Sequence, residues 1–315
     1  MRARTAARPG TVDEPVRQPA TGGSLRHFVH AVRPRQWGKN LLVFLAPAAA
    51  GVLVHLTPFL HVLAAFGVFC AAAAGTYLVN DAVDVDADRR HPEKQYRPVA
   101  NGDLTVRVAV TGAVVLVAAA LVGAWLAAGW DLALVVGTYV AVSVAYSLRL
   151  KREPVVELAV VASCFVLRAV AGGTAAHVSL SNWFLVVTCF GALFVVVGKR
   201  WAEHARLGSE RGRHRAVLAH YTPTFLRSAL TLSASVALTA YFLWAFETTG
   251  LASRAGPRAV WIQLTVVPVV LGLLHVLQLL DAGRGGNPED LALNDHFLQA
   301  LGVLWLALFS VGLYG

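Results

Sequence analysis

The segment from Asn80 to Asp103 reads NDAVDVDADRRHPEKQYRPVANGD, an acidic run that passes into a basic one at the end of a long apolar stretch. If the apolar helix continues into the run, Asn80, Asp84 and Asp88 recur at i, i+4 and i+8, and Asp81 falls close to the same face. Oxygen donors stacked this way suit Mg²⁺, which prefers octahedral oxygen coordination and usually takes one or two carboxylates while substrate phosphates supply the rest. Lys94 and Arg97 lie just downstream, where they can meet those phosphates. Packed against a membrane helix, these carboxylates repel one another without a cation, so a metal site is expected rather than a solvated loop. DVDAD also looks like the opening of a calcium-binding loop. Counting from Asp84, however, Arg89 holds the sixth position where Gly is needed and Gln95 the twelfth where Glu is needed, and calcium is excluded.

The elements that must position this site are apolar helices. With 57% hydrophobic residues, 14% charged residues and a mean hydropathy of +0.59 over 315 residues, the chain is a polytopic all-α membrane protein. Stretches near the length of a bilayer span predict roughly nine crossings, around 41 to 56, 59 to 79, 108 to 128, 132 to 148, 155 to 176, 183 to 197, 228 to 246, 260 to 280 and 297 to 313. With residue 1 in the cytoplasm, about 24 of the 27 Lys and Arg then fall inside, leaving Arg254 and Arg258 outside and Arg168 within a span. That asymmetry favours nine spans and puts the acidic motif and the loop at 199 to 224 on the cytoplasmic side of the plasma membrane.

The net charge of +9 is spread over juxtamembrane loops, which points to topology and anionic lipid contact and not to nucleic acid. Residues 1 to 24 are rich in Arg, Pro, Gly and Thr without an apolar core, so a disordered cytoplasmic tail is expected ahead of one transmembrane domain at 25 to 315. Cys70, Cys164 and Cys189 lie in apolar spans without metal spacing and read as packing residues. The chain contains no HExxH, no GxSxG elbow and no P-loop, which removes the common hydrolase and ATPase classes. His220 stands alone and reads as a loop residue.

Asn80, Asp81, Asp84 and Asp88 match the NDxxDxxxD motif of the UbiA-type intramembrane prenyltransferase superfamily, and RRHPEKQYRPVANG resembles the segment that follows it there. Arg33 to Asn40 (RPRQWGKN) resembles that family's basic approach to the first helix, and Tyr146 to Lys151 (YSLRLK) its YxxxLK motif. The resemblance implies a nine-helix bundle around a lipid-open cavity with a cytoplasmic polar cap and bound Mg²⁺. It also implies that Lys39 and Asn40 contact phosphate and that Tyr146 and Lys151 line the cap. Ordinary members carry a second aspartate-rich motif after the sixth helix. Here that loop reads GKRWAEHARLGSERGRHRAVLAHYT, with Glu203 and Glu210 among many cations.

That departure resembles the decaprenyl-phosphate phosphoribosyltransferase branch of the superfamily. Its marks are Lys151 to Leu158 (KxxPVxxL), Leu167 to Gly172 (LRAxAG), Gly198 to Glu203 (GKRxxE) and Pro288 to Asp295 (PEDxxLxD), with Glu157 where Asp is commoner and Gln95 where a basic residue is. The branch implies transfer of 5-phosphoribose from phosphoribosyl diphosphate to a polyprenyl phosphate for cell-wall arabinan synthesis. Such a reaction needs charge neutralisation of the departing diphosphate more than a strong base, because the acceptor phosphate is already anionic. Asp81, Asp84 and Asp88 are the expected catalytic carboxylates. Lys199 and Arg200 are the candidates for the additional 5-phosphate, with Glu203 in the same matched segment. Arg168, roughly 13 residues into a span, needs a partner or a cavity and reads either as a structural pair or as part of the acceptor path. The rival readings are a UbiA-type prenyltransferase of an aromatic acceptor and a lipid transporter.

Overall fold

The computed structural model describes residues 25–207, 216–250, 258–283, 291 and 294–314, and among these every regular element is helical. The tail expected at 1 to 24 lies outside the described residues. A short α1 (Leu25–Ala31) leads into a 3₁₀ segment at Pro34–Phe44, α2 (Leu45–Ala49) and a 3₁₀ turn at Val52–Val54. Then come α3 (Leu56–Val83), α4 (Val85–Arg89), α5 (Val106–Leu148), α6 (Val156–Ala175), α7 (Asn182–Leu207) and α8 (Pro223–Gly250). The chain closes with α9 (Arg258–Leu264), α10 (Val266–Asp281) and α11 (His296–Tyr314).

Seven helices among the described residues are long and apolar enough to cross a membrane, where hydropathy predicts roughly nine crossings. One reason is α5. Its 43 residues would reach about 64 Å if straight, twice a bilayer core. The backbone leaves helical geometry at Ala128 and Gly129, where φ 73° and ψ −161° suit only a residue without a Cβ. A Cβ on Gly137 would sit 3.7 Å from Leu121, although the two residues would lie about 24 Å apart along a straight helix. The expected spans at 108 to 128 and 132 to 148 are therefore the two arms of one hairpin.

The other reason is the first expected span, 41 to 56, which is not a regular helix. A 3₁₀ segment that starts at Pro34 runs into it as far as Phe44, and Pro47 and a left-handed Gly51 (φ 70°) interrupt the rest, leaving 3₁₀ and α pieces. The tight winding is held by α6. A Cβ on Gly172 would collide with the Val43 carbonyl, so the two backbones touch at a place only glycine fits.

Inside a bilayer there is little hydrophobic drive between helices, and close packing of small residues replaces it. Helix α3 supplies that through Ala72 and Ala73, buried with Phe69 against Ala120, Ala124, Leu132 and Val136 of both α5 arms. A second cluster ties Leu158 of α6 and Val197 of α7 to Leu218, Tyr221, Leu226 and Leu280, so the segment before α8 is fastened to the same end of the bundle. Leu126, Trp130 and Leu134 stay more than 70% exposed, as lipid-facing residues do.

Candidate active site

A cavity of about 800 Å³ opens at the end of the bundle where α3 runs out. The Asp84 amide bonds to the Asn80 carbonyl at 2.9 Å and the Asp88 amide to the Asp84 carbonyl at 2.8 Å, so helical bonding carries through the turn between α3 and α4. Asn80, Asp84 and Asp88 consequently line one wall, as their spacing predicts. The cavity is also lined by Tyr146 from the end of α5, Lys151 from the 3₁₀ turn that follows it, Lys199 and Glu203 from α7, Lys39 from the 3₁₀ segment at Pro34–Phe44, and Lys94 and Arg97 from the basic loop. Nine Lys or Arg side chains and three carboxylates line this cavity, an excess of positive charge that suits a polyanion.

The cations hold the acidic motif in place. Lys151 Nζ donates to Asp84, and Arg97 Nη1 donates to Asp88 Oδ2 at 2.6 Å. Arg97 also reaches Asp81 Oδ1 at 3.2 Å, and Arg33 donates to the same oxygen. Arg33, which sequence reasoning did not single out as a site residue, lines the cavity beside Tyr77 and Arg152. Its signal was available in the matched RPRQWGKN segment.

Three expectations for site residues need correction. Asp81, expected as a metal ligand on the cavity face, is 2% exposed and does not line the cavity; it anchors Arg33 and Arg97 instead. Asn40, expected to touch phosphate, is fully buried and accepts from Arg168 Nε at 2.8 Å. Arg200, expected as a phosphate anchor, is 3% exposed and spends its guanidinium on Glu157 (Nε–Oε1 2.7 Å, Nη2–Oε2 2.8 Å) and Glu203 (3.1 Å). A guanidinium forked on a buried carboxylate has little left for a ligand. Lys199, one residue earlier, faces the cavity.

The same ion pair explains Glu157. Tyr221 donates to Glu157 Oε1 at 3.4 Å and accepts from the Val155 amide at 3.0 Å, and Val155 sits at φ 66°, a strained value for a β-branched residue. Burial pushes the Tyr221 hydroxyl up to about 12, so it remains protonated at neutral pH. This network seats the start of α6 against α7 next to Lys151 and Arg152.

Among the described residues no three His, Cys, Asp or Glu side chains converge as a metal cage. The donor set nonetheless fits Mg²⁺. Two carboxylates and an amide oxygen on one wall match an ion that completes its shell with water and substrate phosphates. The 3.0 Å contact of Asp295 with His275 and its bond from the Leu298 amide at 2.9 Å show that the described end of the Pro288 to Asp295 segment caps α11; the remainder falls largely outside the described residues.

A second cavity of about 750 Å³ adjoins the first and shares Phe165 with it. Its walls are apolar: Leu41 and Leu45, Val187 and Val195 of α7, Trp244 of α8, and Trp305 and Phe309 of α11. A polar, cationic chamber thus abuts a groove fit for hydrocarbon.

Residues 41–313 match the UbiA prenyltransferase family. The chain belongs to that family. Within it, the chain is 42% identical over 293 residues to the decaprenyl-phosphate phosphoribosyltransferase of Corynebacterium glutamicum, spanning 91% of this chain and 86% of that one. It is 44% identical over 283 residues to the enzyme of the same name from Mycobacterium tuberculosis, spanning 89% and 91%. These relatives set it in the decaprenyl-phosphate branch of the UbiA family. The fold agrees with a UbiA homolog from Archaeoglobus fulgidus bound to GPP and Mg²⁺, with a TM-score of 0.66 at 19% identity over 91% of this chain and 98% of that one. Of the two acidic residues at 199 to 224, Glu203 stands on α7 and is already held by Arg200, while Glu210 lies outside the described residues.

Proposed function

We propose that this protein transfers 5-phosphoribose from phosphoribosyl diphosphate to a polyprenyl phosphate, releasing diphosphate, in the supply of arabinan precursors for the cell wall. The observation that carries this reading is the excess of nine cations over three carboxylates around a chamber that abuts an apolar groove. A donor with a diphosphate and a separate 5-phosphate uses more cations than a prenyl diphosphate does. The groove accommodates the acceptor's chain, and the names of the 42–44% identical relatives agree.

Asn80, Asp84 and Asp88 are the residues to hold Mg²⁺, with Asp81 behind them as the anchor of Arg33 and Arg97. Bound there, Mg²⁺ supplies charge neutralisation to the diphosphate. Lys94, Arg97 and Lys151 add fixed positive charge on the same leaving group, and Lys199 on α7 meets the 5-phosphate. As the bond from C1 to the diphosphate oxygen breaks, positive charge develops on the ribose. An oxygen of the acceptor phosphate then closes on C1. That oxygen is already an anion, so no side chain has to remove a proton.

The path of the chain supports nine crossings. The broken segment at 34 to 54 runs from the cavity, at Arg33 and Lys39, to the start of α3, and the α5 hairpin adds two crossings where one helix is counted. The cap then faces the cytoplasm, in keeping with the distribution of Lys and Arg. Purified protein given Mg²⁺, phosphoribosyl diphosphate and a polyprenyl phosphate should form polyprenyl phosphoribose phosphate, detectable by mass. Efficient use of an isoprenoid diphosphate with an aromatic acceptor, and none of phosphoribosyl diphosphate, would replace this reading with ordinary prenyl transfer.

A further inference from the structure

Arg168 is a guanidinium buried midway along α6, and among the described residues no carboxylate pairs with it. It is 4% exposed. Its Nε donates to Asn40 Oδ1 at 2.8 Å, Nη1 to the Cys164 carbonyl at 2.6 Å and Nη2 to the Tyr139 hydroxyl at 3.0 Å, and it lies over the rings of Tyr139 and Phe165 at 4.8 and 5.7 Å. All of these partners are neutral. A positive charge kept from water inside a membrane domain is costly until an anion meets it. Three of the five guanidinium N–H groups are used, which leaves one on each terminal nitrogen for a further acceptor.

Position selects the anion. Arg168 lies about 18 Å along α6 from Val156, far from the rim cations Lys151 and Arg152. It lines the polar cavity, and Phe165, one turn away, forms the wall shared with the apolar groove. An anion seated there has its tail in hydrocarbon and its phosphate in the chamber.

We infer that Arg168, held by Asn40 and Tyr139, is the seat for the phosphate monoester of the lipid acceptor, separate from the cations that take the donor. This rests on the acceptor of the proposed function. Inorganic phosphate shares the head-group chemistry but lacks the tail.

Full-length protein in detergent, without donor, is titrated with polyprenyl phosphate, with the uncharged polyprenol and with inorganic phosphate. Wild type should prefer polyprenyl phosphate to both. Arg168→Gln should cut that preference about tenfold to a hundredfold, the loss of a charge-assisted contact. Because Arg168→Gln also strips Asn40 and Tyr139 of a partner, Asn40→Asp is the second variant. It keeps the shape, sets a carboxylate on the guanidinium and should keep or raise the thermal midpoint while losing the phosphate preference and leaving polyprenol binding unchanged. A folded Asn40→Asp that binds polyprenyl phosphate like wild type, or a loss shared equally by polyprenol, overturns the inference. Wild type that shows the preference, lost in Asn40→Asp, yet transfers no phosphoribose would remove the proposed reaction and leave the anion seat standing.

Discussion

Glu157 and Arg200, 43 residues apart in sequence, meet in a two-pronged ion pair with Glu157 fully buried and Arg200 nearly so. The pair binds the first turn of α6 to the cavity end of α7, and Tyr221 closes it from the segment before α8. Such a pair stabilises weakly against an apolar substitute, but removing one partner strands the other charge at a cost of about 3–5 kcal/mol. Glu157→Ala should therefore lower the thermal midpoint in detergent well below that of wild type. Glu157→Asp, which keeps the charge with a shorter reach, should lose less. Unchanged midpoints in Glu157→Ala would show that the pair is not structural.

How much of this could be read in advance depends on range. Asn80, Asp84 and Asp88 were legible because i, i+4 spacing is local and the helical bonding persists through the turn. Lys94, Arg97, Tyr146 and Lys151 were legible from matched motifs, and all four line the cavity. Asp81 misled because a step of about 100° on the helix sends its carboxylate to Arg33, brought up from 48 residues away. Asn40 and Arg200 misled for a related reason. Each sits in a motif that reads as phosphate-binding, yet each answers to a buried partner 128 or 43 residues distant. Hydropathy also could not show that the first span is wound as 3₁₀, since apolar content is indifferent to how the backbone is coiled.

The acidic motif divides into two roles that experiments can separate. Asp84 and Asp88 face the cavity, whereas Asp81 faces cations. Asp84→Asn should abolish turnover and weaken the activating effect of Mg²⁺ without unfolding the protein. Asp81→Asn should instead raise the KM for donor, through loosened Arg33 and Arg97, with the Mg²⁺ concentration for half-activation little changed. If both variants shift the Mg²⁺ requirement equally, Asp81 is a ligand after all. Full wild-type activity in excess EDTA would remove the metal from the reaction.

Sidedness follows from the cavity, which gathers residues at and beyond the ends of α3 and α5 with Lys199 and Glu203 near the end of α7. Ala87 and Ala219 are both exposed there or in the segment fastened to it. In a background lacking Cys70, Cys164 and Cys189, single cysteines at these two positions should react with a membrane-impermeant thiol reagent in inside-out vesicles and stay protected in intact cells. Labelling of one but not the other in either preparation would place an odd number of crossings between them and break the bundle described above.

Lys199 gives the sharpest test of the donor. It lines the cavity beside Glu203, while its neighbour Arg200 is withdrawn into the ion pair, so mutation of the two should have different consequences. A charge-assisted phosphate contact contributes roughly 1.5–3 kcal/mol, equivalent to about tenfold to a hundredfold in affinity. Lys199→Ala should raise the KM for phosphoribosyl diphosphate by that factor, leave the KM for polyprenyl phosphate nearly unchanged and keep the thermal midpoint, provided binding equilibrates before chemistry. Arg200→Ala should do the reverse, lowering the midpoint first. Steady-state kinetics with each substrate varied in turn decides the matter. A rise in both Michaelis constants for Lys199→Ala would assign this lysine to the general field of the chamber, and the 5-phosphate would then belong to another of the rim cations, with Arg152 the next to test.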